Sequence, residues 1–250
     1  MLFVWNVMAL GAGGWALIGG ALVGSYLVGS IPWAYLIVKW RTGEDVTAHG
    51  TGNVGAMNVK RTTGSWTWFA IAMVLDGLKG LVPVLLAKFL TVGLAGGWAM
   101  TLAPWGETLR SVSSLWYASV LLWVPMLAVL GAVLGHNYSC WMALLKRRFT
   151  RTGKGLATGA GALLAYDWRY FVVVLVVGLA VIAITRYMMA GQVAAAWTLP
   201  IAAGIIRSPD WPFALFMGAL VYAAHHKRFI GLLRGKEPKL YTKDGMGPRG

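Results

Sequence analysis

The sequence predicts an all-α membrane protein that crosses the bilayer about seven times, and three observations support this fold class. First, the chain of 250 residues is 58% hydrophobic and only 12% charged, about half the charged fraction of ordinary soluble domains. Second, the apolar residues form runs long enough to be membrane helices. Third, Lys and Arg gather in the links between these runs, as they do in loops on the cytoplasmic side of a membrane.

The apolar runs follow one another with short links. The first, residues 7–40, is longer than one crossing and contains Pro32, which is expected to break or kink the helix. The run 156–166 would form a helix only about 16 Å long, against about 30 Å of hydrocarbon. Either flanking residues extend it, or the preceding loop lies below the membrane surface. The remaining runs are residues 66–90, 113–135, 168–185, 187–206 and 211–224.

The charge distribution predicts an outside N-terminus and a cytoplasmic C-terminus. Basic residues cluster at positions 39–41, 60–61, 146–154, 186 and 227–249. With seven crossings all of these clusters lie on one side, which the positive-inside rule makes cytoplasmic, whereas six crossings would divide them. The net charge of +14 then suits anionic headgroups and phosphorylated substrates, and nucleic acid is not an expected partner. We predict one membrane domain, residues 1–235, followed by a basic cytoplasmic tail, residues 236–250.

The segment HGTGNVGAMNVKR, residues 49–61, has a composition typical of an anion site. It holds three glycines, two asparagines and two cations but no acid. Glycines allow a close approach of the backbone to a ligand. A helix that begins near Gly55 would place Asn58 and Arg61 on one face. The alternative is a Gly/Asn turn followed by a basic helix at the membrane interface.

The segment TGKG, residues 152–155, resembles part of a phosphate-binding loop. Successive backbone N–H groups ahead of a helix N-terminus bind anions well. The segment is not a Walker A motif, because Gly155 rather than Ser or Thr follows Lys154. Nucleotide hydrolysis is therefore not expected, and the alternative is a flexible basic loop.

Two further features stand beside apolar runs. HHKRFIGLLRGKE, residues 225–237, follows the last run, and the chain offers no histidine, cysteine and acid spacing that suits zinc. Asp76 and Lys79 lie three residues apart inside the second run, which predicts an intramembrane ion pair. Such a pair either joins helices or marks a functional site.

Taken in order, these segments resemble the bacterial acyl-phosphate-dependent glycerol-3-phosphate acyltransferases, which are integral membrane enzymes of phospholipid biosynthesis. The resemblance covers residues 29–237 and is carried by GSIPWAYLIVKW, HGTGNVGAMNVKR, LDGLKGLVPVLLA, LGHN with RTGKGLAT, and HHKRFIGLLRGKE. It implies transfer of a fatty acyl group from acyl phosphate to glycerol 3-phosphate, giving lysophosphatidic acid and phosphate, at the cytoplasmic side of the bacterial inner membrane. An acyl phosphate is already activated, so no nucleophilic residue and no cofactor is expected, and positioning and electrostatics supply the catalysis.

The resemblance also implies the site residues. The catalytic positions are His225, Asn58 and Lys154, of which His225 would hydrogen-bond the acceptor. Residues 153–158 would hold the acyl phosphate through backbone amides, and Glu237 would support the site. The implied substrate-binding positions are Thr51, Asn53, Arg61, Gly153, Gly155, Thr158 and Arg228.

Several positions depart from the family pattern. The replacements are Met57 for Thr, Thr152 for Gly, Met189 for Ser, Arg228 for Asn and Gly231 for Arg. A lost charge-linked hydrogen bond costs about 1–3 kcal/mol, so a degenerate homologue that serves as a subunit of a larger membrane complex is an alternative. A carrier of phosphate esters is another. The expected partners are acyl phosphate, glycerol 3-phosphate and membrane lipids, with protein partners if such a complex exists.

Overall fold

The structure, a computed structural model, describes residues 11–93, 115–206 and 208–237, and these residues form an all-helical protein. Ten α-helices and one short 3-10 turn, Val46–Ala48, occur within the described ranges. The helices are α1 Gly11–Gly29, α2 Trp33–Thr42, α3 Ala56–Thr63, α4 Trp66–Gly93, α5 Leu115–Asn137, α6 Cys140–Lys146, α7 Leu156–Tyr166, α8 Trp168–Thr185, α9 Met188–Ile205 and α10 Trp211–Leu233.

The apolar helices are those of a multi-pass membrane protein. Among the described residues, five helical segments are long and apolar enough to cross a membrane: Ala12–Thr42, Trp66–Val92, Val120–Lys146, Trp168–Thr185 and Met188–Ile205. Two shorter apolar helices are Leu156–Tyr166 and Trp211–Ala223. The all-helical membrane fold is therefore confirmed, while the number of crossings and their orientation stay predictions.

Helix boundaries follow local sequence signals in most places. The expected break at Pro32 is present, because α1 ends at Gly29 and α2 begins at Trp33. Helix α3 begins directly after Gly55, as expected, and α7 has the predicted bounds.

The last helix is longer than its apolar part. The apolar part, Trp211–Ala223, ends close to the expected residue 224, but α10 continues to Leu233 and carries most of the third polar segment. Lysine and arginine end an apolar run without ending a helix, because both are good helix formers. The helix stops where Gly235 adopts a φ of +67° and the Lys236 amide donates to the Gly231 carbonyl at 2.8 Å.

The chain divides into two compact units, unit 1 with residues 1–167 and unit 2 with residues 168–250. Each is described here by itself, and the single domain expected over residues 1–235 stays a prediction. The connection 94–114, with Trp98 and Trp105, lies outside the described residues, as does the predicted tail from residue 238 onward.

In unit 1, glycines let helices pack backbone against backbone. A Cβ added to Gly135 of α5 would lie 2.7 Å from the Ser30 nitrogen, and one added to Gly80 of α4 would lie 2.9 Å from the Thr158 carbonyl carbon. Small residues at such crossings are typical of membrane helices. These contacts bring the end of α5 and the start of α7 against α1 and α4.

Unit 2 consists of α8, α9 and α10, which pack in sequence order through small residues. A Cβ added to Gly191 would lie 2.6 Å from the Gly178 carbonyl oxygen, and one added to Gly218 would lie 2.5 Å from the Ala196 carbonyl oxygen. The Tyr170 hydroxyl donates to the Asp210 carboxylate at 3.0 Å, which joins the start of α8 to the start of α10.

Candidate active site

Asn58 holds the first glycine-rich loop over the start of α3. Its side-chain amide donates to the Val46 carbonyl at 2.8 Å and to the His49 carbonyl at 2.9 Å, and its Oδ1 accepts from the Thr51 amide at 3.4 Å. The residue is buried. Its polar side-chain atoms all contact the backbone of residues 46–51. These contacts are those of a residue that holds the loop in position.

Gly50 allows this loop to close on α3. It adopts a φ of +55°, which favours glycine. An added Cβ would overlap the Asn58 Oδ1 and lie 3.1 Å from the Arg61 Cδ. Arg61 and Thr51 are exposed and Asn53 is partly exposed, so these three candidate residues are accessible at the surface of unit 1.

The same loop is fastened to α6. Asp45 accepts from the Thr47 amide at 2.9 Å and from the Thr47 hydroxyl at 2.7 Å, which caps the 3-10 turn. Its carboxylate also forms an ion pair with Lys146, the last residue of α6. The start of the first loop is therefore fixed at two points.

Thr152 joins the second glycine-rich loop to both α5 and the first loop. Its amide donates to the Asn137 carbonyl at 2.8 Å, and its hydroxyl donates to the His136 carbonyl at 2.8 Å. Its carbonyl accepts from the Val54 amide at 2.7 Å. The two predicted anion segments, far apart in sequence, are therefore neighbours. The hydroxyl that distinguishes this chain from the family glycine anchors the loop.

The glycines of TGKG fit closely against the end of α5. A Cβ added to Gly153 would overlap the His136 ring and lie 2.9 Å from the His136 carbonyl oxygen. Gly155 has a φ of +73°, and an added Cβ would lie 3.2 Å from the Asn137 Oδ1. Lys154 between them is partly exposed. This loop leads directly into the N-terminus of α7, a backbone arrangement that binds anions.

Polar atoms that lack hydrogen bonds border this second loop. Within the described part of the chain, the Asn137 Oδ1, the Thr158 Oγ1 and the His136 Nδ1 are buried and make no hydrogen bond. Buried polar atoms usually have partners. Atoms of the same kind also occur away from this loop, at Gln192 and Ser208, so these three do not by themselves define a ligand site.

The predicted ion pair on α4 is confirmed and lies beside the same histidine. Lys79 Nζ is 2.9 Å from Asp76 Oδ1 and donates to the Ile31 carbonyl at 2.8 Å. The His136 Nδ1 is 3.7 Å from Asp76 Oδ1. His136 and Asn137 were not among the predicted site residues, although two polar residues at the end of a long apolar run were a signal that could have pointed to them.

The third segment lies on α10 in unit 2. The His225 Nδ1 is 2.8 Å from the Val221 carbonyl, and because a carbonyl only accepts, Nδ1 is the donor. Arg228 is also on α10, but its side chain is outside the described part. Glu237 folds back towards Gly231, where an added Cβ would lie 3.6 Å from its Oε1. Met189 is buried inside unit 2. The joining of this segment with the loops of unit 1 stays a prediction.

Comparison with known proteins finds one family for nearly the whole chain. The family model described as glycerol-3-phosphate acyltransferase matches residues 19–235. A glycerol-3-phosphate acyltransferase of Synechococcus sp. (strain JA-2-3B'a(2-13)) is 32% identical over 236 residues, covering 93% of this chain and 97% of the relative. Glycerol-3-phosphate acyltransferase 2 of Moorella thermoacetica is 34% identical over 223 residues, covering 88% and 96%.

Solved structures agree with these sequence matches. The crystal structure of PlsY (YgiH), an integral membrane glycerol 3-phosphate acyltransferase, in its glycerol 3-phosphate form aligns with a TM-score of 0.68 and 26% identity, covering 90% of this chain and 96% of that chain. The lysophosphatidic acid form of PlsY aligns with a TM-score of 0.66 and 25% identity, covering 89% and 94%.

Proposed function

This chain belongs to the glycerol-3-phosphate acyltransferase family, and we propose that it forms lysophosphatidic acid with acyl phosphate as the acyl donor. The resemblance inferred from the motifs is confirmed by the family match. The protein is an integral membrane acyltransferase of phospholipid biosynthesis. What remains to be proposed is the donor, the role of each residue and the side of the membrane on which the reaction takes place.

The observation that supports the proposed site best is the hydrogen bond from the Val54 amide to the Thr152 carbonyl. It fastens the loop that carries Thr51, and that leads into α3 with Arg61, to the loop that carries Lys154. Two phosphorylated substrates need two adjacent anion sites, and these loops are adjacent. Arg61 offers the fork of donors that suits a phosphate, and Lys154 adds a point charge.

We assign the two phosphates to different parts of this site. Arg61, Lys154 and Thr51 bind the phosphate of glycerol 3-phosphate through exposed or partly exposed side chains. The backbone amides of residues 153–158 bind the acyl phosphate, since Gly153 and Gly155 lie in a loop that leads into a helix N-terminus. Thr158 is fully buried in the first turn of α7, so it contributes through its amide and its packing.

The reaction needs little covalent help from the protein. The 1-hydroxyl oxygen of glycerol 3-phosphate attacks the acyl carbonyl carbon, a new ester bond forms, and the bond from the acyl carbon to the phosphate oxygen breaks. The leaving phosphate takes the hydroxyl proton. The resemblance implies that His225 hydrogen-bonds the acceptor. Fixed cations and amides stabilise the charge that develops on the carbonyl oxygen and the leaving phosphate.

The other predicted residues keep supporting roles in this proposal. Asn58 positions the first loop through its three backbone contacts, and the resemblance implies that Asn53 and Arg228 are substrate-binding positions. For the topology, we propose seven crossings of the bacterial inner membrane, with the N-terminus outside and the site facing the cytoplasm. Support comes from the five long and two shorter apolar helices and from the basic residues of the connecting segments.

The proposal is tested by turnover of the purified chain in lipid nanodiscs. With palmitoyl phosphate and glycerol 3-phosphate, we expect inorganic phosphate and lysophosphatidic acid in equal amounts, measured by colorimetry and mass spectrometry. Arg61→Ala and Lys154→Ala should each lower kcat/KM by at least about tenfold, because a hydrogen bond to a charged group contributes about 1.5–3 kcal/mol.

Lys60→Ala is the matched control. Lys60 is adjacent to Arg61, but its Nζ lies over the Trp66 ring, 4.5 Å from the centroid, so its loss should leave turnover within about twofold. Absence of product with the unsubstituted chain, or unchanged turnover in both Arg61→Ala and Lys154→Ala, would contradict the proposal. Stoichiometric protein partners without turnover would instead favour a subunit of a larger complex.

A further inference from the structure

We infer that Asp76, Lys79 and His136, here called the buried triad, position the second glycine-rich loop for the acyl phosphate. This inference rests on the proposed function, because it assigns the acyl phosphate to residues 153–158. The triad residues are positioning residues, which act on the substrate through the loop.

The three residues form a continuous contact from α4 to α5. Lys79 Nζ lies 2.9 Å from Asp76 Oδ1, and the same carboxylate oxygen lies 3.7 Å from the His136 Nδ1. All three side chains are buried. Charges inside a membrane protein are costly to bury, so they are expected to have a specific role.

The contact continues from His136 into the loop. An added Cβ at Gly153 would overlap the His136 ring, which means that the loop backbone lies directly on the imidazole. The His136 carbonyl also accepts from the Thr152 hydroxyl at 2.8 Å. His136 therefore contacts the loop at two neighbouring residues, Gly153 and Thr152.

Asp76 sets the orientation of the imidazole, and Lys79 sets the orientation of Asp76. At 3.7 Å the Asp76 carboxylate makes no hydrogen bond with the His136 Nδ1, so it restricts the ring by packing and by its charge. Lys79 is itself anchored, because it donates to the Ile31 carbonyl at 2.8 Å between α1 and α2. Removing either charge would release the ring, and the loop amides would lose their alignment with the phosphate.

Lys88 shows what a buried lysine does when it only joins helices. It lies on the same helix as Lys79 and is equally buried, and it donates to the Ala165 carbonyl at 2.9 Å and the Tyr166 carbonyl at 3.1 Å. These carbonyls belong to the last turn of α7, at the opposite end of that helix from the glycine-rich loop. Lys88 is therefore a matched control for the loss of a buried lysine.

The experiment compares Asp76→Asn, Lys79→Met, the double variant and Lys88→Met as purified proteins in nanodiscs. For each, KM is measured separately for palmitoyl phosphate and for glycerol 3-phosphate, together with kcat and the melting temperature. We expect Asp76→Asn and Lys79→Met to raise the KM for palmitoyl phosphate about tenfold and to leave the KM for glycerol 3-phosphate within about twofold, as for a lost positioning contact. Lys88→Met should lower the melting temperature with both KM values unchanged.

The double variant separates positioning from simple helix joining. Replacing both charges together leaves no unpaired buried charge, so its melting temperature should return towards that of the unsubstituted chain. If the triad positions the loop, the KM for palmitoyl phosphate stays raised in this variant. A double variant with restored stability and an unchanged KM would overturn the inference, as would equal changes in both KM values.

A binding measurement keeps the inference testable apart from turnover. A non-hydrolysable acyl phosphonate is titrated into each protein by calorimetry, and the dissociation constant should rise about tenfold in Asp76→Asn but stay constant in Lys88→Met. Normal phosphonate affinity in Asp76→Asn would overturn the inference. Phosphonate binding without any turnover by the unsubstituted chain would instead contradict the proposed function and leave the positioning role supported.

Discussion

The substitution Gly153→Ala tests the glycine-rich loop most directly. The added Cβ would overlap the His136 ring and lie 2.9 Å from the His136 carbonyl oxygen. That oxygen has little freedom to move, because the Thr152 hydroxyl donates to it at 2.8 Å. The loop backbone must therefore shift away from α5.

The size of the effect follows from the cost of overpacking. One extra methyl group in a packed site costs about 1–3 kcal/mol, which corresponds to a change of about 5- to 150-fold in a binding constant. We expect the KM for acyl phosphate to rise by about tenfold or more. The KM for glycerol 3-phosphate should change less, because its proposed contacts are side chains rather than the amides of this loop.

The assay records initial rates of phosphate release with one substrate varied while the other is saturating. Gly159→Ala is the control, since a Cβ there would meet only the Val133 Cγ2, at 3.9 Å, and alanine is a better helix former than glycine. We expect this variant to remain within about twofold of the unsubstituted chain. A normal KM in Gly153→Ala, or an equal rise in the Gly159→Ala control, would refute the reasoning.

Three further substitutions test the packing around the site. Asn58→Ala removes the donors for two backbone carbonyls, and each carbonyl left unsatisfied costs about 1–3 kcal/mol. This variant should have a lower melting temperature and a higher KM for glycerol 3-phosphate. Unchanged values would contradict the positioning role of Asn58. Gly80→Ala should prevent stable packing of α4 on α7, because the added Cβ would lie 2.9 Å from a backbone carbon. In the control Gly77→Ala, the added Cβ would meet its nearest neighbour at 3.8 Å. The control should elute normally in size-exclusion chromatography, whereas Gly80→Ala should not. Arg147→Gly should raise the melting temperature, because Arg147 has a φ of 49°, a conformation that costs a residue with a side chain about 1–2 kcal/mol. A lower melting temperature would show that the arginine makes a compensating contact.

Local signals predicted several elements correctly. Pro32 separates α1 from α2, and Gly55 precedes α3. The spacing of Asp76 and Lys79 predicted their ion pair, because residues three apart on a helix are neighbours whatever surrounds them. Helix α10 extends beyond the last apolar run, because hydropathy reports contact with lipid, whereas the end of a helix depends on the backbone conformation, which changes only at Gly235.

Local sequence patterns did not predict which side chains are buried and which are exposed. Asn58 and Arg61 share a short helix, yet Asn58 is buried under the first loop while Arg61 is exposed. The substitution at Thr152 suggested degeneration by comparison with the family pattern, whereas its hydroxyl anchors the loop to α5. Both outcomes depend on which backbone atoms lie nearby, and those atoms come from other parts of the chain.

The sequence by itself determined the membrane class, the order of the helices, the family and the three segments that carry polar residues. These properties depend on composition and on spacing along the chain, so they are present before the chain folds. Only the tertiary structure decided that the Val54 amide meets the Thr152 carbonyl and that Gly153 rests on the His136 ring. Such contacts arise when helices pack through small residues, and their geometry depends on the three-dimensional path of the backbone, which no local pattern specifies.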